Sequence, residues 1–77
     1  SITIAQNSSL KGRLQDKEKK PIAFANILLY KVSDSSLVKA VVTDTLGIYE
    51  FENISANQYY LKISFAGYKS HKSELFI

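Results

Sequence analysis

The residues of this chain that could do chemistry are one histidine, a pair of glutamates and three loop aspartates. Nucleophilic catalysis needs a base within hydrogen-bond reach of the nucleophile. His71 is the only histidine and sits among Ser70, Lys72 and Ser73. No G-x-S-x-G elbow surrounds those serines, so a solvent-facing histidine at a strand end explains His71 without catalysis. Glu50 and Glu52 share one face of a strand and could act as an acid and base. That face lies opposite Tyr49 and Phe51, where two glutamates meeting water need no catalytic role. Asp44 with Gly47 matches the D-x-x-G of nucleotide-binding proteins, but the phosphate-cradling G-x-x-x-x-G-K-[ST] run is absent. Asp16, Asp34 and Asp44 lack the ligand spacing of an EF-hand. The residues therefore predict no catalytic, cofactor-binding or metal-binding site.

Composition narrows the remaining classes. A chain of 77 residues is one domain, and one so short buries only about 60% of the surface its unfolded form exposes. With 45% hydrophobic and 22% charged residues it has the composition of a folded domain rather than a disordered one. Having no cysteine, it has no disulfide framework, thiolate zinc site or cysteine nucleophile. The net charge of +3 is mild, and the densest basic run, Lys17 to Lys20, is broken by Glu18 just before Pro21; it reads as a solvated turn. Tyr59, Tyr60 and Lys62 are a minimal version of an aromatic–basic stripe, and core packing accounts for Tyr59, so nucleic acid is not an expected partner. The sequons at Asn7 and Asn53 matter only in a eukaryotic secretory protein. No apolar run approaches the ~20 residues of a transmembrane helix, so no direct membrane insertion of this segment is expected. Residues 1–9 read as a flexible arm, or as a signal-peptide remnant cleaved after Ala5, ahead of a domain over residues 10–77.

Period-two alternation positions all of these residues. Leu10, Gly12 and Leu14 alternate with Lys11, Arg13 and Gln15, predicting a first strand that ends at the turn Asp16 to Lys20. Pro21 cannot donate a ladder bond and starts a new segment. Phe24 to Lys31 predicts a second strand with Ala25, Ile27 and Leu29 on one face. Phe24, Leu28 and Tyr30 lie on the other, which is either covered by a neighbouring sheet edge or open to a partner, coverage being the plainer reading. Leu37 to Thr43 is a third strand, and a fourth follows Gly47 with Tyr49 and Phe51 pointing one way. A loop over Asn53 to Asn57 leads to a fifth, Gln58 to Ala66, with Tyr59, Leu61, Ile63 and Phe65 on one face and Tyr60 opposite. A sixth begins at His71 and is still running where the sequence stops, as in a domain taken from a longer protein. Strands recurring at this spacing predict an all-β fold, a small sandwich or barrel of six to seven strands.

Three segments resemble the carboxypeptidase regulatory-like domain, in the form found at the N-terminus of TonB-dependent outer-membrane receptors of the Bacteroidetes. In KGRLQDKEKKPIAFANILLY, Gly12, Asp16, Pro21 with Ile22, and Ala25 with Ile27 stand at pattern positions. In TDTLGIYEFENI, Thr43, Asp44, Gly47, Tyr49, Phe51 and Ile54 follow Thr-Asp-x-x-Gly-x-aromatic-x-Phe-x-x-aliphatic. In YYLKISFAGY, Tyr59, Leu61, Gly67 and Tyr68 match Tyr-x-Leu and a closing Gly-Tyr. Phe24 and Asn57 stand where many members have glycine. Related pilin-type domains use a late-strand glutamate to promote a Lys–Asn crosslink; Ile63 stands at that position here, so no crosslink is expected.

The resemblance implies a Greek-key sandwich, transthyretin-like (prealbumin-like) or immunoglobulin-like. It implies a non-catalytic accessory domain in the bacterial cell envelope, on the periplasmic side of the outer membrane or at the cell surface. Such a domain acts through contacts with neighbouring domains of its parent, TonB-system components or glycan-uptake proteins. Phe24, Leu28, Tyr30 and Tyr60 are the candidate partner surface. The alternatives are a carbohydrate-binding module, with Tyr30, Tyr60 or Tyr68 stacking on sugar rings, and an accessory domain of a secreted peptidase. Asp44 and Gly47 are expected to form a tight turn, glycine allowing positive φ and aspartate accepting backbone hydrogen bonds.

Overall fold

The computed structural model describes residues 7–66 and 71–76, with side chains over residues 8–66. Gly67, Tyr68 and residues 1–6 of the proposed arm or leader remnant lie outside them, while Asn7, Ser8 and Ser9, also read as arm, belong to the first strand. Six strands run through the described residues: β1 (Asn7–Arg13), β2 (Asn26–Lys31), β3 (Leu37–Val42), β4 (Ile48–Ser55), β5 (Gln58–Ser64) and β6 (His71–Phe76). The described residues contain no helix, as the alternation predicts. β1 and β4 form a two-stranded antiparallel sheet, and β3-β2-β5-β6 a four-stranded one. Two such sheets sharing one core are consistent with a sandwich.

The core lies between them. Ala25, Ile27 and Leu29 are fully buried, as their spacing predicts, and Ile27 and Leu29 meet Tyr59 and Leu61 of β5 and Phe51 and Ile54 of β4. Burying one such aliphatic side chain stabilises by about 1.5–3 kcal/mol. Leu10, Leu14, Val38, Val41, Tyr49 and Ile63 close the margins. At the open corner between the sheets, the Lys39 ammonium reaches from β3 and donates to the Glu52 carbonyl of β4.

β4 corrects the expected loop over Asn53 to Asn57. The strand continues through Ser55, because Asn53 takes φ +56° and forms a bulge: Ser8 pairs with Ile54 but Leu10 with Phe51. Strict alternation after Tyr49 and Phe51 would turn Ile54 outward; the extra residue restores its inward direction and buries it. Asn53→Val, forcing a β-branched side chain into that conformation, is expected to lower stability by ~1–2 kcal/mol, and Asn53→Gly by far less. Urea unfolding of the two variants checks this.

A second correction concerns Phe24. It precedes β2 rather than opening it, with φ +60°, so it does not continue the face of Leu28 and Tyr30. Asn57, in contrast, is not among the described residues with positive φ; its Oδ1 accepts from Gln58 N–H at 2.7 Å.

The register defines two ends. Asn7 lies opposite Ser55 and Gln58 opposite Phe76, so β1 enters and β6 leaves at one end. Arg13 opposite Ile48, and Asn26 opposite Val42 and Ser64, mark the other, where the chain twice crosses between sheets.

Candidate functional site

At the crossover end, TDTLGIYEFENI forms the expected turn. Asp44 Oδ1 accepts from the N–H groups of Leu46 at 2.8 Å and Ile48 at 2.9 Å, the Gly47 N–H donates to Asp44 O at 2.9 Å, and Gly47 has φ +75°. Asp16 builds the same turn: its Oδ1 accepts from Glu18 at 2.8 Å and Lys20 at 3.0 Å, the Lys19 N–H donates to Asp16 O at 3.0 Å, and Lys19 takes φ +65°. Asp34 likewise faces its own hairpin. The Ser36 hydroxyl donates to its Oδ1 at 2.6 Å, and that bond, reinforced by the Ser36 N–H, holds the carboxyl below the usual carboxylate range. The three aspartates are thus spent on local turns and do not converge. Among the described residues no three His, Cys, Asp or Glu side chains come together as a metal site.

The two turns are joined through Gly47. Its carbonyl accepts from Leu14 N–H at 2.7 Å, the Leu14 carbonyl accepts from Ile22 N–H at 3.0 Å, and Pro21 Cβ lies 3.3 Å from where a Gly47 Cβ would stand. Pro21 also bridges to Gln15, tying down the base of the Asp16 turn. Gly12 has a different use. It faces Tyr49 across the β1–β4 pair, and the phenol fills the place of a Gly12 Cβ, with Cε1 3.1 Å from it. Tyr49 packs edge-on against Phe51, centroids 6.2 Å apart, and partial burial raises its hydroxyl pKa.

Thr43 is a structural residue whose role no spacing reveals. It is buried; its Oγ1 accepts from Ala25 N–H at 2.9 Å and donates to Ile22 O at 2.8 Å, while its own N–H donates to Ala25 O at 2.9 Å. The partners are 18 and 21 residues away in sequence, so only the assembled fold shows them. Thr43→Val should leave both groups unpaired and lower stability by ~1–3 kcal/mol, with Thr43→Ser retaining most of it. Thermal melts of the pair measure the hydroxyl's share.

The candidate partner residues lie mainly on the outer face of the four-stranded sheet, in three cross-strand rows. Val42, Asn26 and Ser64 form the first; Ala40, Leu28 and Lys62 the second; Leu37, Tyr30 and Tyr60 the third. The Tyr30 and Tyr60 rings stack with centroids 5.1 Å apart and planes 9° from parallel. Leu28, Tyr30 and Tyr60 are half-buried while Leu37, Ala40 and Val42 are exposed, so no sheet edge covers this face among the described residues. Phe24 stands apart from these rows, at the crossover end beside Thr43. Glu50 is exposed on β4 opposite Lys11, and His71 opens β6 opposite Ile63.

No curated protein and no solved structure matches the chain. Among known families, residues 9–77 match the carboxypeptidase regulatory-like domain, a span that holds every strand except the first two residues of β1. With the match running over nearly the whole chain, this protein belongs to the carboxypeptidase regulatory-like domain family, a non-catalytic accessory kind of domain.

Proposed function

We propose that the chain is the N-terminal extension of a TonB-dependent outer-membrane receptor for nutrient or glycan uptake, and that it works in the cell envelope by holding a neighbouring domain of the same polypeptide. The observation that carries this reading is the outer face of the four-stranded sheet. Its most apolar row, Leu37, Tyr30 and Tyr60, lies next to the end where β1 enters and β6 leaves. A domain joined to either strand is therefore nearest this row, and its contact surface is preformed: stacked tyrosines offer area at little entropic cost.

The mutual stacking weighs against the carbohydrate-binding alternative, because one face of each ring is already occupied by the other. The test is binding of the purified chain to its neighbouring parent domain or to a TonB-system component by calorimetry. Leu28→Lys with Tyr30→Lys should weaken it by tenfold or more, on the order of the ~2 kcal/mol expected of an interface anchor. Unchanged affinity would remove this face from the contact.

A further inference from the structure

The crossover end carries three exposed apolar side chains: Phe24, Leu46 and Val42, at 68%, 58% and 56% exposure. Phe24 is also in an unfavourable conformation, since φ +60° is an outlier for a bulky residue and its ring gains little burial in return. It is held there by its neighbours: the Phe24 N–H donates to Thr43 O at 3.0 Å, and the next N–H, of Ala25, is taken by the Thr43 hydroxyl. Leu46 serves its turn through its backbone, the N–H donating to Asp44. Folding requires an apolar side chain at neither position. Strain of this kind persists where the surrounding structure over-determines it, and it concentrates at contact sites.

Positive charge stands beside these groups. Lys17 and Lys19 are exposed on the adjoining Asp16 turn, which Pro21 holds against Gly47. The same end carries carboxylates: Asp16 and Asp44 turn theirs toward their own backbone N–H groups and Glu18 lies 3.5 Å from Lys20, so Arg13, Lys17, Lys19 and Lys20 against Asp16, Glu18 and Asp44 leave a formal charge of +1. This end lies opposite the one where β1 enters and β6 leaves.

We infer that the crossover end is a tip that binds anionic lipid surfaces, with Phe24, Leu46 and Val42 entering the interfacial layer and Lys17 and Lys19 lying against the headgroups. Interfacial binding needs apolar area together with attraction to anionic lipid, and both are present here. The apolar groups come from three separate segments and stand out from the surface, an arrangement suited to a deformable bilayer rather than a shaped protein pocket. Val42 also ends the outer face of the four-stranded sheet, but Phe24, Leu46 and the lysine turn stand apart from its tyrosine row, and the inference does not depend on that row's partner.

Flotation of the 77-residue chain with phosphatidylglycerol/phosphatidylcholine vesicles, against phosphatidylcholine alone, tests it. Binding is expected only to the anionic vesicles and should fall with added salt. Phe24→Gly with Leu46→Ser should lower partitioning by about tenfold or more, the scale of withdrawing two such side chains from an interface. Lys17→Glu with Lys19→Glu should abolish it. Phe24→Gly alone should raise the melting temperature, showing that lost binding is not lost folding, and Phe24→Leu should keep most of the binding. No flotation of the unaltered chain overturns the inference. So does a Phe24→Leu loss as complete as that of Phe24→Gly, which would indicate a shaped protein pocket.

Discussion

Gly47→Ala is expected to lower stability by ~2–4 kcal/mol, from a left-handed backbone no longer suited to its residue and a side chain with nowhere to go. The φ of +75° disfavours any Cβ, and the added methyl would run into the Leu14 carbonyl, with Ile22 N at 3.2 Å and Pro21 Cβ at 3.3 Å behind it. Backbone cannot rotate away as a side-chain tip can. The Leu14 carbonyl also accepts from Ile22 N–H, so moving it disturbs the link between the two turns. For a domain of this size the loss corresponds to a fall in melting temperature of roughly 10–30 °C. The Asp16 turn supplies the control. It has the same hydrogen bonds with Lys19 in the left-handed position, so Lys19→Gly should be neutral or stabilising by up to ~1 kcal/mol. Equal melting temperatures for the unaltered chain and Gly47→Ala would show that neither φ nor the close approach matters to stability.

Tyr59→Ala is the second large effect, expected to cost ~3–5 kcal/mol and to leave much of the 77-residue domain unfolded at ambient temperature. It is 1% exposed and is the largest fully buried side chain among the described residues. It also secures a change of sheet. β4 ends at Ser55 and β5 begins at Gln58 in the other sheet, and the Tyr59 hydroxyl donates back to Ser55 O at 2.6 Å across the intervening Ala56 and Asn57. Tyr59→Phe isolates that bond. It keeps the ring and should cost only ~1–2 kcal/mol, chiefly by leaving the Ser55 carbonyl without this donor. Denaturant titrations of the two variants should therefore separate by several kcal/mol; coincident curves would mean that the hydroxyl rather than the ring carries the residue's contribution.

Much of the fold was legible because strand alternation and turn chemistry depend on residues close together in sequence. Ala25, Ile27 and Leu29 at spacing two, and Tyr59 with Leu61, marked core faces without any knowledge of what they would meet. Asp44 and Gly47 marked a turn for the same reason: the aspartate reaches N–H groups two and four residues on. The candidate contact surface was less legible. Leu28, Tyr30 and Tyr60 were on the right faces of their strands, but only the β2–β5 register places Tyr30 against Tyr60. Phe24 was misplaced because alternation assumes extended backbone, and a residue at φ +60° leaves that path.

By itself, then, the sequence determined the all-β class, the core-facing residues of β2 and β5, the Asp–Gly turn and the family pattern, since each is written in neighbouring residues. Only the tertiary structure decided which sheet each strand joins, the bulge at Asn53 that turns Ile54 inward, the two distant partners of the Thr43 hydroxyl and the gathering of Phe24, Leu46 and the lysine turn at one end. Those outcomes depend on which faces of distant strands bury the most apolar area together, a competition among non-local contacts that no local window of residues records.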